Sequence, residues 1–211
     1  MAKIAVVAAN GKAAKKIITE AVNRGFEVTA FGRRAENDTD AENYIKKDIL
    51  DLTREDLKAY DAVVDAFGAW TAENLPLHSK TTHHLADTLS GTDVRLLVVG
   101  GAGSLYVNPE HTIQVADGEN FPEAFKPLAQ AMAVALSELR ERKDVKWTYI
   151  SPAADFQAEG ERSGKYILAG EEFTLNPAGE SVISYADYAI ALVDEIESGK
   201  YIQERISVVR A

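Results

Sequence analysis

Short runs of apolar, often β-branched residues recur along the chain, with helical patterns between them. Ile4 to Ala9, Phe26 to Phe31, Ala62 to Phe67, Val94 to Val99 and Trp147 to Ile150 are nearly unbroken apolar stretches rather than in–out alternations. Strands covered on both faces have that look. Ile17, Ile18, Ala21 and Val22 share one helical face, as do Leu85 and Leu89. Leu128, Met132, Leu136 and Leu139 recur at spacings of three or four residues in a longer helix. Strands alternating with helices predict right-handed βαβ units. The fold class is α/β: a doubly wound, Rossmann-type parallel sheet with helices on both faces.

The texture changes after about residue 152. Gly160, Gly164, Gly170 and Gly179 punctuate polar stretches around Tyr166–Leu168 and Glu172–Leu175, which predict short strands or a hairpin. Ser184 before Tyr185, Ala186 and Asp187 is a capping-box-like start to a helix ending near Ile196. The acidic positions from Asp187 to Glu197 read as a solvated face. Arg205 to Val209 supplies a final strand. Residues 152–182 are too few for a core of their own, so a small C-terminal cap on one domain spanning 1–211 is expected.

Composition narrows the classes. The chain has no Cys among 211 residues, which excludes a disulfide scaffold, a Cys-ligated zinc site and a thiol nucleophile. The first apolar run is broken by Asn10, Gly11 and Lys12 and is too short to span a bilayer, so a cytoplasmic protein is the expectation. The formal charge of −10 argues against nucleic acid or an anionic membrane as partner and leaves a small-molecule substrate. Nothing in the sequence indicates a homo-oligomer. The four His offer no metal-ligand spacing, since His83 and His84 are adjacent and diverge on a helix. Gly-x-Ser-x-Gly is absent, which disfavours a hydrolase.

The charge is unevenly spread. Residues 1–34 hold seven basic and two acidic side chains, a net +5; the remaining 177 hold 16 basic and 31 acidic, a net −15. Lys12 lies in the turn after the first strand, Ala9-Asn10-Gly11-Lys12-Ala13-Ala14, where a doubly wound fold sets a dinucleotide pyrophosphate against a helix N-terminus. Only Gly11 stands where the fingerprint has glycine. Ala14 replaces the packing glycine, and Ala8 or Ala9 the first, a poor exchange if that position needs positive φ. An ordinary βα turn remains an alternative. Arg33 and Arg34 follow the second strand, about 20 residues after Gly11, where Arg suits the 2′-phosphate of NADP and an acid would suit NAD. The competing reading is two solvated surface charges.

The turn and the Arg pair are joined by further segments. These are Lys3 to Gly11, Leu97 to Leu105, Trp147 to Ala153, Gly160 to Tyr166 and Ile183 to Ala189. Together they make the chain resemble the atypical short-chain dehydrogenase/reductase group. More narrowly, it is similar to the bacterial NAD(P)H-binding proteins named as NADH-flavin reductases, relatives of the flavin/biliverdin reductases. The departure is Ala8 and Asn10 in place of the family's Gly and Thr. The resemblance implies a cofactor site of Ala9, Asn10, Gly11, Lys12 and Ala13 at the turn, with Arg33 and Arg34. It places Asp48 and Ile49 by the adenine, and Ala66, Phe67 and Gly68 along the pyrophosphate and ribose. Gly101 to Ser104 would line the nicotinamide, and Pro152 completes the set.

Carbonyl reduction in this group uses a Tyr with a Lys four residues on, and none of the eight tyrosines has one. An acceptor that takes hydride directly, such as oxidised flavin, makes a smaller demand, because its nitrogen is protonated from solvent. Ser104 is then the candidate to hydrogen-bond a carbonyl or the nicotinamide amide, with Tyr106 assisting. The expected activity is an NADPH-dependent oxidoreductase, preferring NADP(H) to NAD(H) and using flavin as acceptor rather than as a tightly bound group. Two alternatives stand beside it. A non-catalytic NADP(H)-binding sensor or interaction protein suits the missing dyad and glycine-poor turn. A nucleotide-sugar epimerase suffers from the same missing dyad and from the small cap.

Overall fold

The computed structural model describes residues 2–211. The chain opens with β1 (Lys3–Val7), α1 (Lys12–Asn23), β2 (Glu27–Gly32) and β3 (Asn43–Lys46). It continues through α2 (Arg54–Leu57), β4 (Ala62–Asp65), α3 (Leu77–Leu89), β5 (Arg95–Val99), α4 (Lys126–Arg140) and β6 (Lys146–Ser151). The last part holds β7 (Asp155–Gln157), β8 (Tyr166–Ala169), β9 (Val182–Ser184), α5 (Tyr185–Ser198) and β10 (Glu204–Arg210). Eight strands form one sheet in the order β3-β2-β1-β4-β5-β6-β10-β8, parallel except for β8 against β10. A separate parallel pair joins β7 to β9.

Apolar runs became central strands because both their faces are covered. In β1, Ile4 and Val6 pack into the core beneath α1 and α5, while Ala5 and Val7 pack into the opposite core with α3 and α4. All four are fully buried. The doubly wound topology follows. The chain builds β1, β2 and β3 outward, then returns to lay β4 on the other side of β1. That reversal leaves a crevice at the carboxyl ends of β1 and β4, the usual ligand position of open α/β sheets. No helix among the described residues is long and apolar enough to cross a membrane.

Several features differ from the sequence expectation. β3 gives no apolar run because it is an edge strand, with only Tyr44 half-buried. The segment 172–175 makes no strand; Glu172 bridges Tyr106, and β8 takes β10 as its partner. The capping box at α5 is half made. The Ser184 hydroxyl accepts from the Asp187 N–H at 3.0 Å, but the Asp187 carboxylate turns to the 163–164 loop, accepting from the Ser163 and Gly164 N–H groups.

The acidic face of α5 is not a solvated face. Asp187 and Glu195 are buried, and Glu195 pairs with Arg95 on β5. Asp194 and Glu197 hold Arg24 at the end of α1, at 2.6 and 3.0 Å. These carboxylates bind α5 to its neighbours; period alone could not distinguish inward acids from outward ones.

Candidate active site

β1 ends at Val7 and the chain turns through Ala8, whose φ is +55°. That left-handed conformation costs an alanine roughly 1 kcal/mol. Packing and hydrogen bonds hold it: the Gly11 N–H donates to the Ala8 carbonyl at 3.1 Å and the Ala9 N–H to the Phe31 carbonyl at 3.0 Å. Gly11 caps α1 in an extended conformation, and no side chain bonds the first-turn N–H groups. Those donors and the positive end of the helix dipole face the crevice, a fit for an anionic group. A Cβ at Gly11 would meet no protein atom closer than 3.5 Å, so the chain itself does not fill the room before α1.

At the end of β2, Gly32 has no space for a side chain, because a Cβ there would collide with the Asn10 amide and the Tyr44 hydroxyl. The Tyr44 hydroxyl donates to the Arg34 carbonyl at 3.0 Å, and the Asn10 amide donates to Asp38 at 2.7 Å. Asp38 also takes Lys15 at 2.8 Å and the Arg34 guanidinium. The hydrogen bond from Lys15, then that from Asn10, brings the Asp38 carboxyl down to about 2. Arg33 is 82% exposed and stands 3.9 Å from Asp48. The excess charge of residues 1–34 is thus partly spent inside the chain. Lys3 pairs with Glu27 and Arg24 lies on the α5 side; Lys12, Arg33 and Arg34 line the crevice, with Lys12 held by Glu159 at 3.2 Å and Arg34 by Asp38.

At the end of β4 the Asp65 carboxylate accepts from the Phe67 N–H at 3.1 Å and the Thr82 hydroxyl at 3.3 Å. The first bond folds the chain out of the sheet, presenting Ala66, Phe67 and Gly68 to the crevice. Asp65 itself is buried, and desolvation pushes its pKa up to about 6. His78 on α3 packs edge-on against Phe67 and bonds Ala69; burial lowers its pKa, so it stays neutral.

Beyond β5, the buried Ser104 hydroxyl accepts from the Arg205 guanidinium at 3.1 Å. Arg205 is wholly buried, also donates to the Ser104 carbonyl and is paired with Glu171, which in turn binds Arg140 at 2.7 Å. Because the Ser104 hydroxyl accepts from Arg205, its own proton is left to donate, and Ser104 lines the crevice. The Tyr106 ring stacks on His111 and lies over the guanidinium of Arg205.

One cavity of about 1630 Å³ joins these strand ends. It exceeds the roughly 300–1,000 Å³ that holds one small ligand, leaving room for two molecules end to end. Its far wall is apolar and includes Phe121, Phe125, Met132, Phe156, Phe173 and Leu175.

The sequence model of the NAD(P)H-binding family matches residues 8–198. The chain belongs to that family. YwnB of Bacillus subtilis is 42% identical over 209 residues, 98% of each chain. A crystal structure from Streptococcus pneumoniae, provisionally described as an NADH-flavin reductase, is 55% identical over 100% of both chains, with a TM-score of 0.98. A Bacteroides thetaiotaomicron structure provisionally described as an epimerase is 35% identical, covers 99% of this chain and 97% of its own, and has a TM-score of 0.87.

For a member of the NAD(P)H-binding family, the residues expected from sequence fall into two groups. Asn10, Gly11, Lys12, Ala13, Arg33, Arg34, Asp48, Ile49, Ala66, Phe67, Gly68, Gly101, Ser104 and Pro152 all line the cavity. Ala9 does not, because it is fully buried beneath the turn. Tyr106 does not either; its ring is engaged behind Ser104. Sequence reasoning missed Lys47, Trp70, His78 and the aromatic far wall. Trp70 carried a usable signal, as a large apolar residue in a polar loop, and is 72% exposed. The far wall carried none, since its members are scattered between residues 121 and 175.

Proposed function

We propose that the protein is an NADPH-dependent reductase that passes hydride to a flavin or similar planar acceptor, bound as a substrate. The observation that carries this reading is one continuous cavity with a cationic, donor-rich end and an aromatic end. Gly11 and the first turn of α1 would receive the pyrophosphate, with Lys12 beside it. Arg33 and Arg34 would favour a 2′-phosphate, Asp48 and Ile49 would flank the adenine, and Ala66 to Gly68 the ribose. Pro152 and Gly101 would border the nicotinamide, and Ser104, backed by Arg205, would donate its proton to a carbonyl of either partner. Ala9 and Tyr106 would act from behind, Ala9 by shaping the turn and Tyr106 by seating Arg205.

Bound NADPH supplies a hydride from its nicotinamide, whose ring is oxidised as the C–H bond breaks. The flavin gains that hydride and one proton from solvent, leaving as the dihydro form. What the chain contributes is orientation and exclusion of water. No Tyr with a Lys four residues on lies in the chain, which supports direct hydride acceptance over carbonyl or epimerase chemistry. Residues 152–182 supply Phe156, Phe173 and Leu175 to the cavity, which supports one working unit over 1–211 with these residues as its acceptor-side cap. A cytoplasmic location fits a reductase drawing on NADPH.

Trp70 lies on the cavity wall while Trp147 is buried, so tryptophan fluorescence reports binding. Titration with NADPH and NADH, followed by NADPH oxidation in the presence of riboflavin, tests the reading. Saturable quenching with turnover is expected. Binding without turnover on any flavin or quinone would instead favour a sensor, and no binding of either nucleotide would remove both readings.

A further inference from the structure

Charge divides the cavity. Among the described residues that line it, the basic side chains are Lys12, Arg33, Arg34 and Lys47, all just beyond β1, β2 and β3. The far end, past the Gly100–Ser104 loop, has the aromatic wall described above. Its charged lining side chains are Glu119, in the loop before α4, and Asp155, at the start of β7. Both are exposed to the cavity mouth, and neither has a cationic partner.

We infer that this end accepts an uncharged planar ring system and discriminates against the same ring carrying a phosphate. The inference rests on the reductase reading and names its acceptor class: riboflavin-like, rather than FMN-like. An apolar wall favours the ring through dispersion and burial. A phosphate on its side chain would approach two carboxylates with no compensating Lys or Arg, in a cleft where the effective dielectric is below that of water. Among the described lining residues the cations lie beyond β1, β2 and β3; Lys12, which reaches toward the loop after β7, is already paired with Glu159 there at 3.2 Å, and the proposed nucleotide phosphates would engage the others.

Riboflavin and FMN have the same isoalloxazine ring and differ at the phosphate, so they isolate the charge effect. The experiment measures kcat/KM for each with saturating NADPH, and the Kd of each by quenching of flavin fluorescence, which needs no turnover. Riboflavin is expected to exceed FMN by on the order of tenfold in both readouts, with the gap narrowing as salt rises. In a Glu119→Gln, Asp155→Asn double variant the ratio should fall by several-fold, because amides keep the shape and lose the charge. Equal or better use of FMN by the parent protein would overturn the inference while leaving the reductase reading intact. A ratio unmoved by the double variant would overturn its cause, and failure to bind either flavin would overturn both.

Discussion

At the basic end of the cavity, the donors and cations come from residues 10–48, carried on the turns that follow β1, β2 and β3. At the far end, the wall is drawn from the loop before α4, from α4 itself and from the segments around β7 and 173–175. The first end is polar and built locally, on a turn that a short stretch of chain encodes. The second is apolar and depends on distant segments meeting. A local device persists through sequence change as long as its backbone survives, as the Ala8 turn does. A wall assembled from afar can change occupant by changing a few side chains, so the proposed acceptor choice would reside there.

The largest effect should come from the buried support of the far end. Arg205→Ala leaves Glu171 without its buried partner and Ser104 without its donor, and is expected to lower stability by about 3–5 kcal/mol. Urea denaturation measures the loss; a change under 1 kcal/mol would mean that the Arg205 network does not hold this end together.

Asp65 is buried at the end of β4, a central strand of the sheet. Its folded pKa of about 6 is raised above that of an unfolded carboxyl, so the native state prefers the protonated form. Stability is therefore undiminished below about pH 4, falls as pH rises toward 6, and stays reduced above it. Asp65→Asn should gain up to about 3 kcal/mol at pH 7.5, and that gain should vanish near pH 4. Thermal melts at the two pH values check it, and a pH-independent difference would contradict the burial argument.

Nucleotide affinity sharpens the contrast from the other side. Arg33→Ala should weaken NADPH binding about tenfold and move NADH by less than about twofold. Asp38→Asn frees Lys15 and Arg34 from their counter-ion and should tighten NADPH by several-fold. Tryptophan quenching gives both constants, and equal shifts for the two nucleotides would remove these residues from 2′-phosphate recognition. The smallest effect belongs to the turn. Ala8→Gly relieves the left-handed strain but adds freedom to the unfolded chain, for a net gain of about 0.5 kcal/mol. A loss of more than 1 kcal/mol in denaturant would show the alanine methyl to be worth more than the strain.

Strands with unbroken apolar runs were legible because burial on both faces leaves a period-free signature. β3, β7 and β9 were not, being short strands outside the doubly covered centre of the sheet. The cavity-lining turn and Arg pair were readable for a similar local reason: a strand, a glycine and a helix start are contiguous. Ser104 was readable as a strand-end residue, but its partner Arg205 lies 101 residues away and looked like an ordinary start to the last strand. Asp38 shows the same limit, since nothing in its neighbourhood marked it as the anion on which Asn10, Lys15 and Arg34 converge.

The sequence by itself determined the α/β class, the order of the central elements and the position of the turn between β1 and α1. Each depends on patterns a few residues long, where hydrophobic period and backbone conformation act directly. Tertiary structure decided the rest. It tied the acidic helix face to α1 and β5, put Arg205 behind Ser104 and gathered an aromatic wall opposite the basic turn. Those outcomes depend on which distant side chains share a volume once water is expelled, because in the interior a charge must find its partner and an apolar surface its cover.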